Sequence, residues 1–133
     1  MSLVTKASDA SIDTVSIQTA PQLSGLTAGE ALDILSLCCI KSDGLVYMSN
    51  ATAADADAKL DGITPRAYAS GDTNVTLLGK GTKFRYAASG LTPGALYFMG
   101  ATDGRIDTAA TTGDAVGVAK AISATDLRLI RDY

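Results

Sequence analysis

The second half of this 133-residue chain repeats the pattern of the first half in shortened form. Gly25-Leu26-Thr27-Ala28-Gly29 returns as Gly90-Leu91-Thr92-Pro93-Gly94, and each copy continues into an apolar run and an Asp-Gly pair. The spacing between equivalent positions falls from 65 residues at these glycines to 52 residues at Leu77 and Leu129. An open solenoid needs about three copies for stability. Two copies therefore predict a pseudo-symmetric β body that closes on itself.

The length and the residue content indicate a single small domain with a thin core. A chain of 133 residues buries enough surface for one core without disulfides or a metal. Trp is absent and only 5% of the residues are aromatic. A core of small and aliphatic side chains gains from oligomerisation. We expect a flexible arm over residues 1–22 and one β domain over residues 23–133, with internal repeats at about 25–78 and 90–130.

The charge and the missing residue types exclude several kinds of function. The chain has 11 basic and 14 acidic residues, so we expect no direct nucleic-acid partner. The longest apolar run, Ile34 to Ile40, is far shorter than the roughly 20 residues of a membrane span, so we expect a soluble protein with no membrane partner. Histidine is absent, which removes the usual general base and the commonest metal ligand. We expect no enzymatic activity, no cofactor and no metal.

Local patterns predict most of the strands. The run from Ala31 to Ile40 is apolar on both alternating faces, which is typical of a strand in mid-barrel or at a subunit interface. Asp43-Gly44 and Asp103-Gly104 each predict a tight hairpin. The Ala-rich stretch from Asn50 to Leu60 is the one predicted helix, with Asn50 or Thr52 as its cap. We expect the adjacent Cys38 and Cys39 to be small buried residues, with a redox role as a remote alternative.

One predicted strand, Thr82 to Ala87, separates apolar from basic side chains. Its aromatic face belongs inside the body or between subunits, and the candidate subunit interface comprises Leu35, Leu37, Phe84 and Tyr86. The opposite face, with the preceding turn, is a candidate docking face made of Lys80, Lys83 and Arg85. Such a face docks only if an acidic partner meets it, and it is otherwise a solvated surface.

The order of these features resembles the capsid decoration, or cement, proteins of tailed bacteriophages, of the β-tulip type found in phage lambda. The resemblance covers about residues 20–86, and it rests on pattern. It is carried by Ser24 to Ala28, the apolar run to Ile40, the Asp43-Gly44 turn, the Ala/Thr/Asp-rich loop, the Gly62 strand, Val75 to Leu78 and Gly81 to Tyr86.

This resemblance implies a mainly β fold, a small barrel-like β-tulip domain, with one short helix and an extended N-terminal arm. It further implies a homotrimer that binds the major capsid protein on the outside of the virion, made in the host cytoplasm. We expect the arm to bind the capsid by strand addition and to be dispensable for folding. Its candidate contact residues are Leu3, Val4, Ile12, Val15 and Ile17. The alternative is a head-fibre base or an adaptor or receptor-binding module, with loops 50–60 and 108–115 as tips.

Overall fold

A computed structural model describes residues 3–13, 18, 20–131 and 133 of the chain. The described residues form a mainly β structure with a single turn of 3-10 helix, as the sequence predicts. No helix within these ranges is both long and apolar enough to cross a membrane. In chain order the elements are β1 (Ser11–Ile12), β2 (Gln22–Leu26), β3 (Leu37–Ile40), β4 (Val46–Met48), the 3-10 turn (Ala56–Ala58), β5 (Gly62–Ile63), β6 (Val75–Leu78), β7 (Lys83–Arg85), β8 (Leu96–Met99), β9 (Ile106–Asp107), β10 (Ala119–Ala121) and β11 (Asp126–Leu129).

The strands form two antiparallel sheets that share one topology. The five-stranded sheet has the order β2-β6-β5-β3-β4, and the six-stranded sheet has the order β1-β7-β11-β10-β8-β9. If β2–β6 are called the first unit and β7–β11 the second unit, the strand order is the same in both. The first strand lies beside the fifth, followed by the fourth, second and third. The two units are thus folded in the same way, although β2 contains Gly25 of the first sequence repeat whereas β7 ends before Gly90 of the second.

The two Asp-Gly pairs form equivalent hairpins, which confirms the turns expected from the sequence. The first joins β3 to β4 and the second joins β8 to β9. Gly44 has φ 81° and Gly104 has φ 71°, in the left-handed region that glycine adopts readily. In the first turn, the Asp43 carboxylate also accepts the Leu45 amide at 3.0 Å.

The N-terminal segment is part of the second unit. Leu3 forms a bridge with Asp107, and the Val4 amide donates to the Ile106 carbonyl at 2.8 Å. Further along the same segment, β1 pairs with β7. Residues 3–13 therefore join both edge strands of this unit, β9 and β7. The expected flexible arm is wrong for these residues, because their backbone partners lie about 100 and 70 residues away in the sequence, beyond the reach of local patterns.

The sequence predicts a single strand over the apolar run from Ala31 to Ile40, and this prediction is wrong. Leu35 has φ 53°, and the chain turns there before β3 begins at Leu37. Thr64 holds this turn: its carbonyl accepts the Leu35 amide, and its hydroxyl donates to the Asp33 carbonyl at 2.5 Å. The bonds that break the run thus come from a residue about 30 positions later.

The predicted helix from Asn50 to Leu60 is reduced to the single 3-10 turn. Its cap is Asp55, whose carboxylate accepts the Asp57 amide at 3.0 Å, so both predicted caps are wrong. Before the turn, the Asn50 amide donates to the Asp57 carbonyl and the Ala51 amide donates to Gly100. These tertiary bonds replace the local pairing that a helix requires.

The hydrophobic interior has two parts, both within the chain. The smaller core lies in the first unit and contains Ala28, Leu32, Cys38, Val46, Tyr68, Val75 and Leu77. The larger core lies between the units and includes, from the first unit and its loops, Leu35, Leu37, Leu60, Ile63 and Leu78, and from the second, Phe84, Tyr86, Tyr97, Met99, Ile106, Leu127 and Leu129. The five-stranded sheet is therefore covered on both faces by its own chain.

Candidate interaction surface

The outer face of the six-stranded sheet presents exposed basic and apolar side chains. In β10 and β11 the flanking residues point into the larger core, so that Lys120 and Arg128 point outward and are exposed. In β8, Leu96 points the same way and is 45% exposed. Ile122, which follows β10, is 48% exposed and extends the apolar part of this surface.

These side chains form a row across four strands. Leu96 lies opposite Lys120, Lys120 lies opposite Arg128, and Arg128 lies opposite Lys83. Directly opposite residues in an antiparallel pair share a face, with their Cβ atoms about 5 Å apart. We call Lys83, Arg128 and Lys120 the basic row. Within the described part of the chain, neither Lys120 nor Arg128 takes part in an ion pair.

Of the three candidate docking residues, only Lys83 lies in the basic row. Lys83 belongs to the basic row, with its Nζ 3.8 Å from the Asp126 carboxylate. Arg85 forms an ion pair with Asp9 of the N-terminal segment at 3.2 Å. Lys80 is exposed at the turn before β7. The sequence reasoning missed Lys120 and Arg128, although the alternation in Ala119-Lys120-Ala121 and Leu127-Arg128-Leu129 was the signal that could have found them.

The prediction that Leu35, Leu37, Phe84 and Tyr86 form the candidate subunit interface of a trimer is wrong. The side chains of Leu35, Leu37, Phe84 and Tyr86 are all 0% exposed and belong to the larger core. Phe84 and Tyr86 pack edge to face with their ring centroids 6.0 Å apart. Burial raises the pKa of the Tyr86 phenol, while its hydrogen bond from Arg105 acts in the opposite direction. Leu35 and Leu37 come from the first unit and Phe84 and Tyr86 from the second, and all four are covered by their own chain, so they offer no surface to a partner.

The five residues predicted to contact the capsid from the N-terminal arm do not all lie in the same environment. Val4 is 7% exposed and belongs to the larger core, and Ile12 packs against that core from β1. Leu3 is 38% exposed beside β9. Val15 and Ile17 lie outside the described residues. Three of the five predicted capsid contacts are therefore part of the folded body.

An acidic surface lies on the first unit, around the β3–β4 hairpin and the 3-10 turn. The Lys41 ammonium lies 2.7 Å from the Asp57 carboxylate and 4.5 Å from the Tyr47 ring centroid. The Tyr47 hydroxyl donates to Asp43 at 2.6 Å, and this bond lowers the pKa of the Asp43 carboxyl. Asp61 accepts the Ile40 amide at 2.7 Å. We call Asp43, Asp55, Asp57 and Asp61 the acidic cluster.

Charge is divided unevenly between the two units. Residues 22–78 contain seven acidic and three basic residues, for a net charge of −4. Residues 79–131 contain seven basic and four acidic residues, for a net charge of +3. The two units therefore carry net charges of opposite sign, although the overall net charge is only −3.

A buried ion pair secures the end of the chain. The Asp114 carboxylate accepts the Met99 amide at 2.7 Å and the Gly117 amide at 2.9 Å, and lies 3.1 Å from Arg131. The Arg131 Nε donates to the Gly117 carbonyl at 3.0 Å. Because its partners are backbone amides and one arginine, this carboxylate holds together β8, the loop before β10 and the residues after β11. No local pattern in the sequence distinguishes Asp114 from the solvated aspartates.

The two cysteines are free and fully buried, as the sequence predicts. Cys38 points into the smaller core, and its thiol donates to the Ser36 carbonyl at 3.4 Å. Burial raises the pKa of the Cys38 thiol far above its ordinary value. A thiolate, the reactive form, is therefore strongly disfavoured at this position.

The described surface offers grooves more than enclosed cavities. One groove of about 470 Å³ lies beside the basic row and is lined by Pro21, Lys80, Gly81, Arg128, Leu129 and Ile130. In residues 3–13, 18, 20–131 and 133, no group of three or more Cys, Asp or Glu side chains is placed to hold a metal ion. No family model and no curated protein matches this chain.

Proposed function

We propose that this protein is a structural virion protein that binds the outside of an icosahedral phage capsid as a trimer and stabilises the shell. The observation that carries the proposal is the outer face of the six-stranded sheet, which offers a trimer a surface for contact between its subunits. An open sheet face with Leu96, Lys120 and Arg128 exposed is suited to a macromolecular surface, whereas a small substrate requires a concave pocket. The resemblance to capsid decoration proteins and the mainly β fold support the same function.

The proposed contacts with the major capsid protein are aliphatic side chains near the N-terminus. Val4 and Ile12 pack in or against the larger core and Leu3 pairs with β9, so Val15 and Ile17 remain the residues of the predicted arm that are proposed to contact the shell. Three such contacts on one trimer would bind with avidity, because the second and third contacts form at high effective concentration.

Co-sedimentation with empty shells of the phage that encodes this chain tests the proposal. We expect the protein to pellet with the shells and to raise the temperature at which they break. The variant Val15→Asp/Ile17→Asp should lose binding, because charged side chains remove the apolar contact. The control Thr14→Asp/Ser16→Asp adds the same charge to neighbouring polar positions and should keep binding.

Two outcomes contradict the proposal. The first is wild-type protein that stays in the supernatant at every shell concentration. The second is protein that binds the shells without changing their stability and also binds host glycans or receptors on an array. That result indicates the adaptor or receptor-binding alternative. Loops 50–60 and 108–115, the proposed tips in that alternative, lie together through the hydrogen bond from the Gly113 amide to the Ala51 carbonyl at 2.8 Å.

A further inference from the structure

The same face of the sheet is buried in the first unit and exposed in the second. In the first unit, Leu37, Ile63 and Leu78 lie opposite one another across β3, β5 and β6. All three are 0% exposed and belong to the larger core. The equivalent row of the second unit crosses β8, β10 and β11 and contains Leu96, Lys120 and Arg128. In the first unit this row is covered by the second unit. In the second unit the equivalent row is left uncovered.

The chemistry of the uncovered row indicates an acidic occupant. Lys120 and Arg128 face each other directly, and Arg128 also faces Lys83. Like charges directly opposite in a sheet destabilise the pair. An acidic surface placed over the basic row would remove this repulsion. Leu96 and Ile122, both about half exposed, would add apolar contact at the edge of the same surface.

The chain itself carries a surface of the opposite charge. The acidic cluster contains four carboxylates on the first unit, with Lys41 paired to one of them. The first unit has a net charge of −4 and the second a net charge of +3. Because the two surfaces lie on different units of one chain, a second copy can present its acidic cluster to the basic row of the first.

We propose that the basic row docks on the acidic cluster of a second copy of this chain. The contact is heterologous, since different surfaces meet, and a heterologous contact closes into a ring when the rotation between copies permits. The number of copies, three, rests on the proposed function. The contact itself does not depend on that function. Salt weakens the contact, since the Debye length falls from about 8 Å at physiological ionic strength to about 3 Å at 1 M.

Sedimentation velocity of the purified protein tests the contact. We expect the wild type to sediment as an oligomer at low salt and to shift toward monomer at high salt. The variant Lys120→Glu/Arg128→Glu should be monomeric at all salt concentrations. The control Arg66→Glu reverses a charge at an exposed position of the first unit outside the acidic cluster and should remain an oligomer.

A compensating variant tests the identity of the partner surface. Adding Asp55→Lys/Asp57→Lys to Lys120→Glu/Arg128→Glu restores the original net charge and reverses both surfaces. We expect this four-residue variant to recover the wild-type sedimentation coefficient. A thermal melt of each variant verifies that it is folded. The inference is overturned if Lys120→Glu/Arg128→Glu sediments like the wild type, or if the folded compensating variant remains monomeric.

The shell experiment separates this contact from the proposed function. A monomeric Lys120→Glu/Arg128→Glu variant that still binds shells, more weakly through lost avidity, supports both. Wild-type protein that is monomeric at low salt yet binds and stabilises shells overturns the contact and leaves the function. Wild-type oligomers that respond to the charge variants as expected but never bind shells support the contact and overturn the function.

Discussion

At the scale of single residues, Asp114 is the side chain whose loss should cost most. It is buried, and its carboxylate is shared by backbone amides and by Arg131. Asp114→Ala leaves those amides unsatisfied and the Arg131 charge buried without a partner. We expect the free energy of unfolding to fall by about 3–5 kcal/mol, measured by urea denaturation. Asp33→Ala, at an exposed carboxylate, should change it by no more than about 0.5 kcal/mol.

A double variant distinguishes the ion pair from simple loss of packing. If the two side chains act together, Asp114→Ala/Arg131→Ala should cost less than the sum of the two single variants. Additive costs within about 0.5 kcal/mol would contradict the coupling that the 3.1 Å contact indicates.

At the scale of elements, the N-terminal segment behaves as a strand of the second unit. Val4 lies in the larger core, and its carbonyl accepts a hydrogen bond from Arg105 at 2.9 Å. Val4→Asp buries an unpaired charge, so we expect a melting temperature lower by several degrees, or no folding. Thr5→Asp places the same charge at the exposed neighbouring position and should leave the melting temperature nearly unchanged. Equal melting temperatures for both variants would return this segment to the role of a free arm.

At the scale of the whole molecule, the shared core makes the two units one cooperative body. The larger core takes Ile63 from the first unit and Leu127 from the second, and each is fully buried. We expect Ile63→Ala to lower stability by about 2–5 kcal/mol. Amide hydrogen exchange should show the same loss of protection in β3 of the first unit and in β10 of the second. A loss confined to β3 would show that the units open independently.

Those parts of the fold that depend on local chemistry can be predicted from the sequence. Asp43-Gly44 and Asp103-Gly104 specify hairpins because their glycines adopt positive φ without a steric cost. The strand over Val75 to Leu78 depends on the same kind of local chemistry, since its apolar residues are bounded by turn residues at Asp72 to Asn74 and at Gly79. The mainly β class and the burial of both cysteines follow from the same kind of local pattern.

Which surface covers which depends on contacts between residues that are distant in the sequence. The apolar run around Leu37 showed that both faces needed cover, but a second unit of the same chain and a second subunit satisfy that need equally well. The pairing of residues 3–13 with β7 and β9, and the alignment of Lys83, Arg128 and Lys120 into one row, depend on register between distant strands. A local alternating pattern limits register to every second position but does not specify which distant strand is the partner, and long-range packing makes that choice.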